Sequence, residues 1–493
     1  MGRQSIDTVL VLPPRPKGVA PGRWLYDALR SAILDGRLRA GARLPATRAL
    51  AAEYGVARGT VVGVFEQLAS EGYLEARVGS GTRVRAVLPD RLLQATRTPV
   101  TSRREAPARR ISGFAKRAQL MRPLNLGPAR AFRANQPALD LFPARLWAQV
   151  AGRRLRRSSS ELLAGSDPLG FLPLREQVAA YLTTSRGASC TPERVAIVPG
   201  GQAAIDVIAR LLIEPGDVVA VENPGYIGAV RLFEAYGARL VPADVDDEGI
   251  VVDALKRTRA RLVYVTPAHQ FPLCVSMPLA RRLALLEWAR SRNALIFEDD
   301  YDSEYRYEGR PLPAMQGLDD AGCVIFSGSF SKTLFPGLRL AYVVVPDDLV
   351  DPLAAVLSLM NRHAQMLDQA VLADFMEAGH FGRHLRRMRE VYAQRLGVLL
   401  AAAKDQLDGM LTVSDVEAGL QTVGWLAPGF TGGDVVAAAA RHDVQLLAIS
   451  RFALTSYPRE GLQIGFAAVD EKEIRRGVDV LELVLRRLRR RRR

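Results

Sequence analysis

The chain contains 493 residues, of which 48% are hydrophobic and 24% are charged, and its formal net charge is +15. This is the composition of a globular protein with room for several domains. No apolar run reaches the roughly 18 residues that cross a bilayer, and the first residues lack the apolar core of a signal peptide, so we expect a cytoplasmic protein without a membrane partner. Three widely spaced cysteines favour neither a disulfide framework nor a metal site. The positive charge favours a polyanionic partner.

The first 87 residues predict three helices followed by a β-hairpin. Leu25, Leu29 and Ile33 recur at the spacing of one apolar helix face, and Gly55 can end the second helix. Two helices joined across a short glycine-containing turn form a helix-turn-helix, whose second helix enters the major groove of DNA. The predicted elements are helices from residue 24 to about 36, 46–54 and 58–71, and strands 73–77 and 82–85. We therefore expect an α+β winged helix-turn-helix at residues 1–87.

The outward positions of this unit are basic or hydroxylic, which suits contacts with phosphates and base edges. A small helical domain with a merely solvated face would look similar, but the turn, the third helix and the hairpin all agree with DNA binding. The stretches 41–48, 55–61, 71–74 and 79–82 resemble the winged helix of the GntR family of bacterial regulators. The resemblance implies that operator DNA is contacted by Arg43, Arg48, Arg58, Thr60, Thr82 and the wing glycines, including Gly81.

Residues 88–130 show no sustained periodicity and are rich in proline, arginine, serine and threonine, which is typical of a linker. As a flexible coil of about 43 residues it would span on the order of 36 Å, at about 5–6 Å × √n. We therefore expect a long linker between the winged helix and a body at residues 131–485.

Short β-rich runs alternate with helical patterns from residue 131 onward. The candidate strands are 194–198, 217–221, 261–266, 294–298, 323–327 and 340–345, and candidate helices between them include 202–212, 227–236 and 279–291. Such alternation predicts an α/β body with a mainly parallel sheet, which binds its ligand at the carboxyl ends of the strands. We expect the last of these strands to run against the others.

Lys332 lies in the stretch 327–339, SGSFSKTLFPGLR, among closely spaced hydroxyl groups. A lysine amine can form a Schiff base with an aldehyde cofactor, and Ser329, Ser331 and Arg339 could hold a phosphate on that cofactor. A serine- and glycine-rich loop with a solvated lysine is the plainer interpretation of these residues taken alone.

Three other strand ends carry groups that suit the same ligand. Asp299 follows one strand, where a carboxylate can keep a pyridine nitrogen protonated, and Tyr301 can reach a ring hydroxyl. Alternatively, the acidic pair at 299–300 could cap a helix or bind a cation. Tyr226 follows another strand and could stack on a flat ring or belong to the core. A third strand ends in a turn that offers backbone N–H groups and a helix N-terminus to a phosphate. The candidates in that turn are Gly200, Gly201 and Gln202.

In this order and spacing, these groups resemble the fold-type I pyridoxal-phosphate enzymes of the aspartate aminotransferase class, over residues 135–477. The resemblance implies bound pyridoxal 5'-phosphate and a smaller C-terminal α/β subdomain from about residue 350. It implies that Lys332 carries the cofactor and that Asp299 faces the pyridine nitrogen, while Tyr301 bonds the ring hydroxyl and Tyr226 stacks on the ring. The remaining cofactor-binding residues implied are Gly200, Gly201, Gln202, Ser329, Ser331 and Arg339.

A GntR-type winged helix on a long linker to such a body is the layout of the MocR/GabR subfamily of transcriptional regulators, which the stretches 266–272 and 298–304 also resemble. The resemblance implies a regulator that binds double-stranded operator DNA and senses an amine, an amino acid or pyridoxal phosphate itself. By analogy, we expect a homodimer.

Two departures from the aminotransferase pattern bear on catalysis. Aminotransferases usually carry an arginine near the C-terminus that binds the substrate carboxylate, and Gln463 occupies that place here. Arg451 could substitute for it or be a surface residue. The asparagine segment that contacts the ring hydroxyl in aminotransferases is replaced by one that contains His269 and Gln270.

These departures leave three hypotheses. A regulator without physiological turnover is favoured, because a sensor needs no substrate clamp. The alternative is an active aminotransferase with an accessory DNA-binding head, and the third is a body that only dimerises. Seven of the last eight residues, 486–493, are arginine. We expect a frayed polybasic tail there, although an arm that tracks DNA would have the same composition.

Overall fold

The computed structural model describes residues 10–77, 81–86, 109–119, 127–157, 160–309 and 312–491. The chain divides into two compact units, Met1–Arg109 and Arg110–Arg493. Within the described ranges, no helix combines the length and the apolar character needed to cross a membrane.

The first unit is a three-helix domain with a two-stranded wing. Its elements are α1 Pro21–Leu34, α2 Thr47–Tyr54, α3 Arg58–Ser70, β1 Leu74–Arg77 and β2 Gly81–Val84. Leu25 and Ile33 of α1 share one core with Val61 and Leu68 of α3, as the apolar periodicity predicted. Gly55 ends α2 with a φ of +61°, a left-handed conformation that glycine adopts without strain. The predicted winged helix-turn-helix is confirmed.

The wing is fixed against the segment that precedes α2. Strands β1 and β2 pair antiparallel, and the turn residues 78–80, with the expected wing glycine Gly79, lie outside the described residues. The backbone N–H of Leu44 donates to the carbonyl of Thr82 at 2.9 Å. The segment that carries Arg43 therefore lies directly beside β2.

The second unit is an α/β body with two sheets. Its strands are β3 Val195–Val198, β4 Val218–Asn223, β5 Arg239–Asp246, β6 Gly249–Ile250, β7 Leu262–Val265, β8 Leu295–Asp300, β9 Val324–Ser329, β10 Ala341–Val344, β11 Leu411–Val413, β12 Gln421–Leu426, β13 Leu447–Ala448 and β14 Gly461–Gly465. Its helices are α4 Gly113–Arg117, α5 Ala144–Arg156, α6 Ser160–Ala164, α7 Leu172–Arg186, α8 Gly201–Leu212, α9 Ile227–Tyr236, α10 Val252–Leu255, α11 Leu279–Arg292, α12 Met315–Leu318, α13 Phe330–Thr333, α14 Val350–Asn361, α15 Met366–Glu377, α16 His380–Gln406, α17 Gly432–Ala440 and α18 Glu471–Arg491.

The large sheet has the strand order β3-β10-β9-β8-β7-β4-β5-β6 and is mainly parallel. All six predicted strands are present, and the last, β10, runs antiparallel to both neighbours, as expected. Strands β5 and β6 were not predicted. β5 contains Pro242, which is uncommon inside a strand, and most of its residues are only partly buried because the strand lies near the sheet edge. Its sequence therefore lacks the apolar run of a central strand. Helices α8 and α9 pack on one face of this sheet through a shared apolar core.

The small sheet is the expected C-terminal subdomain. It is antiparallel in the order β11-β12-β14-β13, and the apolar face of α18 joins its core through Val478, Leu481 and Leu485. A bridge between Phe132 and Gly465 attaches the beginning of the body to the central strand β14.

Part of the predicted linker belongs to the body. Helix α4 lies on α9, with the rings of Phe114 and Tyr236 edge to face at 5.0 Å between centroids. The Arg117 Nε donates to the carbonyls of Glu234 and Ala235 at 3.2 and 3.1 Å. Residues 113–117 of the predicted linker therefore form a helix that packs on the body. The sequence did not predict this helix, because five residues are too few to show a periodic pattern. The linker residues 87–108 and 120–126 lie outside the described ranges.

The C-terminal arginines continue a helix. α18 extends from Glu471 through Arg491, and Arg486 pairs with Glu482 one turn earlier at 2.7 Å. The expectation of a frayed tail is wrong for residues 486–491, while Arg492 and Arg493 lie outside the described residues. The apolar face that packs on the small sheet keeps this helix in place to its basic end.

Candidate functional site

Lys332 lies one turn beyond the carboxyl end of β9, in the short helix α13. Its Nζ donates to the backbone carbonyl of Asn135. Burial lowers the pKa of Lys332 to about 8, against the opposing effect of the Asp302 and Asp299 carboxylates. More of this amine is therefore neutral near pH 7 than of an ordinary lysine, and the neutral form is the one that attacks a carbonyl carbon.

Asp299 lies on β8, the strand next to β9, and its Oδ2 accepts a hydrogen bond from the Tyr264 hydroxyl of β7. Burial raises the pKa of Asp299 to about 6, although the hydrogen bond from Tyr264 opposes this rise. At neutral pH the carboxylate form still prevails. Three adjacent parallel strands thus bring an anion and an amine to the same edge of the sheet.

Tyr301 is held by a buried histidine–aspartate pair. Its hydroxyl lies 3.2 Å from the Nδ1 of His269, and that nitrogen lies 2.9 Å from the Oδ1 of Asp302. Burial opposes a charge on His269, but the Asp302 carboxylate outweighs it, so the pKa of the imidazole is well above its ordinary value. Gly419 packs against the His269 ring, since a Cβ on this glycine would lie 2.0 Å from the His269 Cε1.

Tyr226 precedes the first residue of α9, and its hydroxyl donates to the Oε1 of Gln202 at 3.2 Å. The amide nitrogen of Gln202 donates in turn to the carbonyl of Gly228 at 3.0 Å. The Tyr226 ring meets the Phe271 ring edge to face, with 5.7 Å between centroids. Gln202, predicted as a cofactor ligand, therefore fixes the orientation of the tyrosine.

An anion cradle lies at the N-terminus of α8. Gly200 precedes this helix with a φ of +96°, and a Cβ on it would lie 2.6 Å from the Arg339 Nη2. The same Nη2 donates to the carbonyl of Pro199 at 3.1 Å. The Oγ of Ser329 accepts from the backbone N–H of Ser331 at 3.2 Å. Backbone N–H groups at a helix N-terminus, a guanidinium and hydroxyl groups form a donor set that fits a phosphate monoester.

The predicted residues are thus distributed over the carboxyl ends of β3, β4, β8 and β9 and, for Arg339, the amino end of the antiparallel strand β10. Four residues near the site were missed by sequence reasoning. Asn135 and Tyr264 contact Lys332 and Asp299 directly, whereas Asp302 acts through His269 and Gln421 through Asn135. Asp302 falls within the stretch 298–304 that resembles the MocR/GabR subfamily, and this is the signal that could have found it. The other three act through contacts that join distant parts of the chain.

Gln463, which stands where aminotransferases usually carry a carboxylate-binding arginine, is buried and uncharged. Gln463 lies in β14 without exposed surface, whereas Arg451 is exposed in a short 3-10 helix. Arg451 is therefore a surface residue in this structure.

The candidate DNA contacts line one end of the winged helix. Arg58 is the first residue of α3 and Arg48 lies in α2, both exposed. Arg43 packs beside the wing, because its Nε lies 2.9 Å from the position of a Cβ on Gly81. Thr60 and Thr82 are partly exposed in α3 and β2.

Two family descriptions match the chain. Residues 131–481 match aminotransferase class I and II, and residues 22–84 match the bacterial regulatory proteins of the gntR family. The first match implies pyridoxal phosphate as the cofactor, and the second implies DNA binding.

Relatives and solved structures agree with both matches. The chain is 40% identical to the probable rhizopine catabolism regulatory protein MocR of Rhizobium meliloti, over 95% of this chain and 94% of that protein. It is 28% identical to the HTH-type pyridoxine biosynthesis transcriptional regulator PdxR of Corynebacterium glutamicum, over 95% of this chain and 96% of that protein. The body is similar to LysN, an alpha-aminoadipate aminotransferase of Thermus thermophilus solved with N-(5'-phosphopyridoxyl)-L-leucine. That structure has a TM-score of 0.71 and 29% identity, over 77% of this chain and 98% of LysN.

Proposed function

The chain belongs to the aminotransferase class I and II family and, with its GntR-type head, to the MocR-type transcriptional regulators, and we propose that it couples operator binding to occupation of the Lys332 site by a small amine. The observation that supports this proposal is that Lys332 and Asp299 lie at the ends of adjacent strands, where burial lowers the pKa of Lys332 against the opposing effect of the Asp299 carboxylate, while an uncharged buried residue occupies the place where an aminotransferase needs its carboxylate-binding arginine.

Pyridoxal phosphate, when bound, supplies an electrophilic carbon for amines and an electron-withdrawing ring. Lys332 would supply the amine that holds the cofactor. Asp299 would keep a proton on its ring nitrogen, and the pair of His269 and Asp302, which fixes the Tyr301 hydroxyl, would present that hydroxyl as a hydrogen-bond partner. Tyr226 would supply an aromatic face. The phosphate would be held by Gly200, Gly201, Ser329, Ser331 and Arg339.

Sensing is favoured over turnover. Sustained transamination of amino acids requires a group that holds the α-carboxylate in each half-reaction, and a buried arginine does this best. Gln463 provides no charge and Arg451 is exposed. An active aminotransferase with a DNA-binding head remains the second candidate, because the intact Lys332 and Asp299 could support one half-reaction.

The winged helix would contact operator DNA through Arg43, Arg48, Arg58, Thr60, Gly81 and Thr82. The N-terminal residues of a recognition helix reach base edges, and the flanking arginines neutralise phosphates. We further propose a homodimer, so that two heads read two half-sites, and a cytoplasmic location, where operator DNA is found.

The cofactor assignment is tested by the visible absorption spectrum of the protein with added pyridoxal phosphate, beside Lys332→Ala. We expect a band with the wild-type protein that the variant lacks. A spectrum that is the same for both proteins would remove Lys332 from the site.

Operator selection with a random DNA library, followed by a binding titration, tests the head. Arg58→Ala should weaken operator binding at least tenfold, and affinity should fall steeply with salt. The control is Arg239→Ala, which removes an exposed arginine from β5 of the body. Equal operator affinity of the two variants would contradict the assignment of α3 as the recognition helix.

A further inference from the structure

Two buried glutamines lie on the same face of the small sheet with unsatisfied amide groups. Gln463 and Gln421 have no exposed surface. Among the described residues, neither amide atom of Gln463 has a hydrogen-bond partner, and the same holds for the Nε2 of Gln421. A buried amide without partners is costly, so an interior position that keeps one indicates a missing partner.

The strand register places both amides on one face. Gln421 is opposite Gly465, and Val423 is opposite Gln463. Residues two apart in a strand point to the same side and are about 7 Å apart along it. The side chains of Gln421 and Gln463 are therefore diagonal neighbours on adjacent strands.

A short chain of contacts connects this face to the reactive lysine. The Lys332 Nζ donates to the carbonyl of Asn135, and the backbone N–H of Asn135 donates to the Oε1 of Gln421 at 3.1 Å. The segment before Asn135 crosses the face at Gly465, whose backbone N–H donates to the carbonyl of Phe132 at 3.1 Å. Gln463 lies two residues before Gly465 in β14, on the same side of the sheet.

No free cation accompanies these amides in the neighbouring segment. The Arg133 guanidinium is bound to the side chains of Gln445 and Gln136 and to the carbonyls of Gly127 and Pro128. On the lysine side the positive groups are already engaged: the Lys332 amine lies beside the Asp299 and Asp302 carboxylates and is the group that the cofactor would occupy, and His269 is paired with Asp302. A carboxylate placed here would lose its hydration, find no unpaired cation among these groups and face two anions.

We propose that Gln463, with the Nε2 of Gln421, binds the end of the effector remote from its amine, and that this end is an uncharged hydroxyl-type group rather than a carboxylate. The inference rests on the proposed function of the Lys332 site and adds the chemical class of its ligand. A primary amide has two donor hydrogens and an acceptor oxygen, so a hydroxyl group satisfies it by accepting one hydrogen bond and donating another. The preferred effectors are therefore amino alcohols or amino polyols, and simple α-amino acids bind poorly.

A series of three amines tests the proposal, because its members differ in one group only. Isopropylamine, L-alaninol and L-alanine carry a methyl, a hydroxymethyl and a carboxylate at the same carbon. The pyridoxal-phosphate-loaded full-length protein is titrated with each, and the visible absorbance and the operator affinity are both recorded. We expect L-alaninol to act at a concentration at least tenfold lower than either of the others. Equal or stronger action of L-alanine would overturn the proposal.

Two variants locate the effect. Gln463→Arg should reverse the order of L-alaninol and L-alanine, because it introduces a cation for the carboxylate. Gln463→Met, of similar volume, should abolish the advantage of L-alaninol over isopropylamine, because the thioether neither donates nor strongly accepts a hydrogen bond. An unchanged advantage in Gln463→Met would refute the role of this side chain, even if Gln463→Arg does not fold.

Failure of the proposed function and failure of the glutamine site give different results. If the wild-type protein shows no Lys332-dependent band, the proposed function itself is wrong. If the band is present and isopropylamine shifts it, but the three amines act equally, only the assignment of the glutamine site is wrong.

Discussion

Replacing Gly419 by alanine should damage the Lys332 site from a distance. The φ of Gly419 is +95°, and its Cβ would lie 2.0 Å from the Cε1 and 2.4 Å from the Nδ1 of His269. The imidazole cannot turn aside, because its Nδ1 is 2.9 Å from the buried Asp302 carboxylate and 3.2 Å from the Tyr301 hydroxyl. The variant must therefore shift either the backbone or the histidine.

Gly429 offers a matched control in the same subdomain. Its φ is +94°, and nothing lies within 4 Å of the position of its Cβ. Both alanine variants accept the backbone strain, about 1–3 kcal/mol, whereas only Gly419→Ala adds the overpacking of a buried site, a further 1–3 kcal/mol or so. The difference between the two variants isolates the contact with His269.

Urea unfolding of the full chain, monitored by tryptophan fluorescence, gives the two changes in unfolding midpoint. We expect Gly419→Ala to lose about 1–3 kcal/mol more than Gly429→Ala. We also expect its pyridoxal-phosphate band to shift, because Tyr301 moves with His269. Equal midpoints for the two variants would show that His269 is not confined by its contacts with Asp302 and Tyr301.

Two further predictions concern the phosphate cradle and the acidic interior. Gly200→Ala should weaken pyridoxal-phosphate binding at least tenfold in an absorbance titration, because its Cβ meets the Arg339 guanidinium, whereas Gly216→Ala, with a similar φ of +98° and open surroundings, should leave the affinity unchanged; equal losses would mean that strain alone matters. Burial raises the pKa of Glu304 to about 8, so the folded chain binds this proton more tightly than the unfolded chain, and the resulting stability is complete below the ordinary glutamic acid range and lost as the pH rises through about 8. Glu304→Gln keeps an acceptor for the Tyr181 hydroxyl but cannot titrate. Between pH 6 and pH 9 its melting temperature should therefore fall less than that of the wild type, and parallel curves of melting temperature against pH would contradict this.

The large sheet and the polar side chains at its strand ends could be predicted, because both depend on local pattern. Strands β4, β8 and β9 begin as buried runs of apolar residues, and each ends in polar residues. Since parallel strands end at one edge, residues as far apart in sequence as Tyr226 and Lys332 could be assigned to one site without knowledge of their distance.

The contacts that refine the site could not be predicted in the same way. His269 meets Asp302 across 33 residues, and Gln421 meets Asn135 across 286. No spacing rule connects such residues, because their meeting depends on how the small sheet packs on the segment around Phe132. The short helix α4 was missed for a different reason, since five residues give one turn and no repeat.

The contact between α4 and α9 sets where the body begins along the chain. α9 is ten residues long, about 15 Å, and ends at Tyr236. Phe114 and Arg117 of α4 contact that end of the helix. A fragment cut at residue 131 would lose this contact, so a truncated body for biophysical work should begin before Ser112.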